Sequence, residues 1–292
     1  MEELNKKEIE EKQESENTEQ KEIVYTDKNV EKRKKIYYNL ENLLSMPHIT
    51  NDGKYVSVFQ ICKNYDTEEP NGYIPDKYSN LIVIDVEKKE IKYKYKRVFN
   101  GTMWKANHLA INPENSDLIA FAHEGDAAYV ANRIWFYDNS LKKAWNSVKQ
   151  EITEDMDLGE MIGHEMWSYN GKRMYYVKYV DSLPPTGIGC FDIETKEKKL
   201  LYSSKYKHLH VCPSMDERFL AVDTLIPEGD NMVSQILIID QKDGNETLID
   251  KVKETGFHPS HAHPQMSPDN DKLSYTYLRD DGNLGIKIAY LK

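Results

Sequence analysis

The segment GFHPSHAHPQMSPD, which starts at Gly256, carries His258, His261 and His263 within six residues. In an extended chain residues i and i+2 share a face, so His261 and His263 present two imidazoles to one point. Pro259 and Pro264 stiffen the stretch and reduce the entropy lost on ordering it. Neutral imidazole nitrogen is a ligand for Mn, Fe, Zn, Ni and Cu. His210, in HVCPSMDERFLAVDT, is a further ligand candidate from a neighbouring strand, with His208 as a supporting partner or a surface residue. The competing reading is a polar loop in which the histidines have no joint role.

Two other segments carry acid–base residues. GHEMW at 163–167 offers His164, whose unperturbed pKa of about 6.5 suits a general base near neutrality. Glu165 beside it points the opposite way in an extended strand and is free to bond to a neighbouring element. AHEGD at 122–126 brings His123 to the end of an apolar strand. Arg133 opens the next one, NRIWFYD, as a surface ion pair or a clamp for a carboxylate. Each histidine also has a plainer reading as a packed residue bonded to nearby backbone. The sequence has no HExxH, GxSxG, GxGxxG or P-loop pattern, so serine-hydrolase and nucleotide-binding readings lack support.

These residues sit in a repeat. From residue 47 onward, a histidine, a polar turn and an alternating strand recur: HITNDGKYVSVF, HLAINPENSDLIAFA, HEMWSYNGKRMYYVKY, HVCPSMDERFLAVDT and HPQMSPDNDKLSYTYL, headed by His48, His108, His164, His210 and His263. A second strand follows in each unit, as in 80–93, 132–138, 189–202, 235–249 and 284–291. Period-2 alternation and NDG, YNG and KDG turns mark hairpins. Units of this length with room for four strands predict an all-β fold, a β-propeller with about five visible blades. The histidines would then fall by repeat symmetry on the innermost strands. Residues 1–22, rich in Glu, Lys, Asn and Gln, are expected to form a disordered or frayed tail. Residues 23–292 form one propeller domain in this reading, with an atypical first segment at 23–46.

Composition narrows the function. The 292 residues carry a formal net charge of −10 and 20 Tyr against 7 Phe. An acidic chain has no general attraction for nucleic acid, and it must recognise an acidic ligand through a focused site. Three cysteines without a CxxC fit a reducing compartment, and the N-terminus has no apolar leader, so a cytoplasmic location is expected. No apolar run is long enough for a membrane span, so no membrane partner is expected. Oligomeric state is not legible.

The run INPENSDLIAFAHEGD, NRIWFYD, GHEMWSYNGKRMYYV, HVCPSMDERFLAVD and HAHPQMSPDNDKLSYTYLRDDGN resembles the oligogalacturonate lyases in order and spacing, over roughly residues 40–290. The resemblance implies a seven-bladed propeller enzyme of the cytoplasm that cleaves short, acidic oligogalacturonides by β-elimination with a divalent metal. Mn is the ion it favours, with Ni, Co, Fe or Zn as alternatives. It implies His210, His261 and His263 as metal ligands, His164 as the base, and Arg133 as the contact for a substrate carboxylate. His123 is a further substrate-binding candidate. His258 stands where the family has a Gln ligand. The family's chain is longer, and the part missing here is N-terminal, about two blades. Two rivals stand beside this reading: a non-catalytic propeller that binds metal, sugar or protein, and a peptidase-like propeller, for which the chain supplies no nucleophile.

Overall fold

The computed structural model describes residues 20–23, 44–61, 78–97, 105–124, 133–146, 161–179, 185–204, 206–229, 231–255 and 260–291. Most of the expected tail and of the atypical segment, and His258, lie outside them. The described residues form twenty strands in five four-stranded antiparallel sheets, the blade repeat of a β-propeller. By internal contacts the chain divides into two compact units, Met1–Lys28 with Tyr206–Lys292, and Asn29–Lys205.

Strand β1 (Gln20–Ile23) belongs to the first unit and is taken up below. The second unit holds three blades. They are β2 (Leu44–Ile49), β3 (Tyr55–Ile61), β4 (Ser79–Asp85) and β5 (Glu90–Arg97); then β6 (Lys105–Ile111), β7 (Leu118–Glu124), β8 (Ile134–Asp138) and β9 (Lys143–Asn146); then β10 (Ile162–Trp167), β11 (Arg173–Lys178), β12 (Gly187–Asp192) and β13 (Lys198–Ser203). Each sheet runs in sequence order, so every connection is a hairpin. Apolar residues on both faces of the middle strands are buried, as at Leu81–Val83, Ile119–Ala122 and Met174–Val177. The core of the second and third blades centres on Phe136, which stacks on Trp145 and Phe191 and tilts against Trp167 at 5.5, 5.7 and 5.6 Å. Phe136→Ala is expected to cost about 3–5 kcal/mol, read as a lowered denaturation midpoint. A change under about 1 kcal/mol would mean that this core collapses around the gap.

The first unit holds two blades. One is β14 (Lys207–Pro213), β15 (Phe219–Glu228), β16 (Asn231–Asp240) and β17 (Glu246–Glu254). The other is built from β18 (Gln265–Met266), β19 (Lys272–Leu278), β20 (Leu284–Tyr290) and the early strand β1, which pairs with β20 through Gln20↔Ala289 to Ile23↔Ile286. The tail expected over 1–22 therefore contributes Gln20–Glu22 to a sheet. Composition hid this, because an edge strand is held by main-chain bonds and needs no apolar run.

One turn recurs after the innermost strand. The backbone N–H groups of Thr50, Ser168, Ser214 and Ser267 donate to the carbonyls of Tyr55, Arg173, Phe219 and Lys272. Their hydroxyls accept the N–H groups of those same residues at 2.9–3.1 Å. Asn112 fills the equivalent place, with its N–H on the Leu118 carbonyl. Ser and Thr are apt here because a short hydroxyl mimics a backbone group.

Candidate metal centre and acid–base cluster

Counting back from these turns aligns the histidines. His108, His164, His210 and His263 each stand four residues before Asn112, Ser168, Ser214 and Ser267; His48 stands two before Thr50. Four of the five unit-heading histidines are therefore equivalent, and His48 is not. The equivalent position is a β-bulge. Residues 108–109 oppose only Phe121, 164–165 oppose only Tyr176, and 209–210 oppose only Asp223. A bulge re-aims a side chain out of the pleat. His108, His164 and His263 have φ values of 46°, 52° and 47°, a left-handed conformation uncommon for residues other than glycine. Backbone strain of this kind persists where the surrounding fold enforces it and clusters at functional sites.

In the first unit the bulge of β14 and the segment before β18 bring three imidazoles together. The ring centroids of His210 and His263 are 3.6 Å apart; His261 lies 5.6 Å from His210 and 6.0 Å from His263. One ring nitrogen of His210 and one of His263 lie within 4.8 Å of each other. The predicted His-x-His pair and the strand-borne histidine are thus neighbours.

Asp223 on β15 ties His210 to the backbone of His263. Its carboxylate accepts the His210 backbone N–H and bonds His210 Nδ1, each at 2.7 Å, and accepts the His263 N–H at 3.3 Å. Burial works against ionising Asp223, but His210 outweighs it and holds the carboxyl below the usual carboxylate range. His263 Nδ1 sits 3.1 Å from the His261 carbonyl. With Nδ1 engaged on both rings, Nε2 is the nitrogen left to ligate, which is the pattern of metal-binding histidines tied to a carboxylate or carbonyl. The donor set fits a divalent transition ion.

His208 is buried, with Nδ1 3.2 Å from the Asp223 carbonyl, and the bulge interrupts the alternation between it and His210. It is a packed partner of the strand. Asp223→Asn is expected to weaken divalent-ion affinity roughly 10–100-fold, measured by chelator competition. Affinity equal to wild type would show that the carboxylate does not orient the ligands.

In the second unit a cluster surrounds His164. Glu165 reaches the preceding blade, where its carboxylate accepts Arg133 Nε at 2.6 Å. Burial again opposes its charge, but Arg133 and then His108 hold the carboxyl below its usual range. The ring of His164 meets His108 edge-on at 6.3 Å and Tyr179 edge-on at 6.2 Å. His123 is half-buried on β7, paired with Ala106, and its N–H donates to the Arg133 carbonyl at 2.7 Å. Arg133, expected as a surface pair or a carboxylate clamp, is half-buried and tied to Glu165, so its guanidinium is fixed in orientation.

Asp223 and Tyr179 escaped the reading of the sequence, and His108 was read there only as a repeat-heading residue. The signal for Asp223 was an acid in the middle of the apolar strand LAVDTL.

The chain aligns with the oligogalacturonide lyase of Pectobacterium atrosepticum at 23% identity over 226 residues, 70% of this chain and 53% of that one. It aligns with the oligogalacturonate lyase of Dickeya dadantii at 22% identity over 219 residues, again 70% and 53%. A solved oligogalacturonate lyase in complex with manganese superposes with a TM-score of 0.68 at 20% identity, covering 87% of this chain and 66% of that one. Sequence and fold both match the oligogalacturonate lyases. No family model matches the chain. It spans about half the length of the curated oligogalacturonate lyases it aligns with.

Proposed function

We propose that this protein cleaves short oligogalacturonides by β-elimination, leaving a 4,5-unsaturated uronate. The observation that carries the reading is the trio His210, His261 and His263, with Asp223 bonded to the His210 ring and to the His263 N–H, in a chain that matches lyases of this substrate class, one of them solved with manganese. Mn is the ion we assign to the trio, with Ni, Co, Fe and Zn as the alternatives its nitrogen donors admit, and His258 as a fourth ligand. A divalent ion held there would supply positive charge to stabilise a uronate carboxylate.

The protein's own groups do the rest. A 4-linked uronate has an acidified proton at C5, beside the carboxylate. His164 takes that proton as neutral imidazole. Arg133, fixed by Glu165, faces the charge that builds on the carboxylate, where a pre-oriented cation is worth more than a mobile one. His123 contacts a substrate hydroxyl. We place the reaction in the cytoplasm.

Incubation of the manganese-loaded protein with digalacturonate tests the reading. Elimination yields one saturated and one unsaturated product, seen as ultraviolet absorbance of the conjugated acid. Two saturated products would point to hydrolysis. Binding without turnover would favour a non-catalytic, sugar-binding propeller, a reading supported by the chain's half-length match to its relatives.

A further inference from the structure

We propose that Tyr179 delivers the proton to the leaving oxygen, a step that rests on the elimination assigned to His164. Tyr179 directly follows β11, and its backbone N–H donates to the Met161 carbonyl at 2.8 Å. This bond pins the residue beside the start of β10. The side chain then reaches back across β10. A Cβ placed on Gly163 would lie 2.5 Å from the Tyr179 hydroxyl oxygen and 3.0–3.1 Å from the ring. Only a residue without a side chain at 163 admits that hydroxyl, one position before the bulged His164. The ring meets His164 edge-on at 85°.

The chemistry asks for such a group. The C4 oxygen leaves as a sugar alkoxide, a poor leaving group unless a proton arrives as the bond breaks. Glu165 beside His164 is held ionised by Arg133 and has no proton to give. A phenol, with an ordinary pKa of about 10, is more acidic than a sugar alcohol and protonates the departing alkoxide downhill.

The balance closes without water or a redox partner. His164 takes the C5 proton, and the C5–H electrons form the C4=C5 double bond. The C4–O bond breaks with its electrons on oxygen, which takes the Tyr179 proton. An imidazolium is a stronger acid than a phenol, so the proton then returns from His164 to the phenolate.

Tyr179→Phe keeps the ring and removes only the hydroxyl. On digalacturonate its kcat is expected to fall by about 10²–10⁴-fold with KM little changed. On a uronate carrying fluoride at C4, which departs without a proton, it is expected to match wild type. Gly163→Ala, whose added methyl displaces the hydroxyl, is expected to show the same split, and serves if Tyr179→Phe fails to fold. Equal losses on both substrates, or no loss on digalacturonate, would overturn the assignment. So would a leaving-group-dependent loss in His108→Asn but not in Tyr179→Phe, which would make His108 the donor. If the wild-type protein eliminates from neither substrate, the lyase reading itself fails and this step falls with it.

Discussion

His164→Asn is expected to lower elimination from digalacturonate by about 10²–10⁴-fold while leaving divalent-ion binding at the wild-type level. Asn is the informative replacement because the residue has φ 52°, a left-handed conformation that Asn tolerates better than most side chains. Ala would add a strain penalty unrelated to chemistry. The base function is lost because a neutral amide cannot hold the C5 proton. Metal binding is spared because the three assigned ligands, and the Asp223 carboxylate bonded to His210 and to the His263 N–H, lie on β14, β15 and the segment before β18. A rate within threefold of wild type would remove His164 from the mechanism. A parallel loss of metal would mean that its imidazole is a ligand and not the base.

His263→Ala is expected to abolish tight binding of Mn and its competitors, a larger effect than the roughly 10–100-fold expected from losing a supporting partner such as Asp223. The ring of His263 stands 3.6 Å from that of His210, and its Nδ1 is engaged by the His261 carbonyl. Removing it leaves His210 and His261 with a gap between them. The backbone N–H of residue 263, bonded to Asp223, is retained in the variant, and because Ala carries the same strain penalty at φ 47°, His263→Asn, which tolerates that conformation, is measured beside it. Chelator competition and metal content of the purified variant measure it. Wild-type metal content would defeat the trio as the binding site.

The strands were legible because they depend on period-2 alternation, which a sequence displays directly; His261 and His263 were named from their spacing, but they meet through the left-handed backbone at His263 and not in an extended pleat. Glu165 was expected to bond to a neighbouring element, but its place in the bulge, not simple alternation, carries it to Arg133. Bulges were not legible. An extra residue on β6, β10 or β14 changes no hydrophobic pattern, yet it turns His108, His164 and His210 out of the pleat. For that reason His48 looked equivalent to the others when counted from the start of each repeat, and only the turn that begins at Thr50 shows it offset by two. Asp223 was hidden for a related reason. Its partner lies across a bulge, thirteen residues away in sequence, where no local spacing rule reaches. Tyr179 read as one of many half-buried tyrosines, and its nearness to Gly163 exists only once β10 and β11 pair. Strand β1 is the remaining case, since the run QKEI pairs with β20 although its composition shows no apolar alternation.

The proposal stands on imidazole nitrogens gathering a divalent ion that the elimination requires. The most direct measurement is formation of unsaturated uronate from digalacturonate by one protein sample, first stripped by chelator and then reloaded with Mn. The account predicts no product from the stripped protein and steady formation after reloading. An equal rate before and after, or no product with Mn, Ni, Co, Fe or Zn, would contradict it.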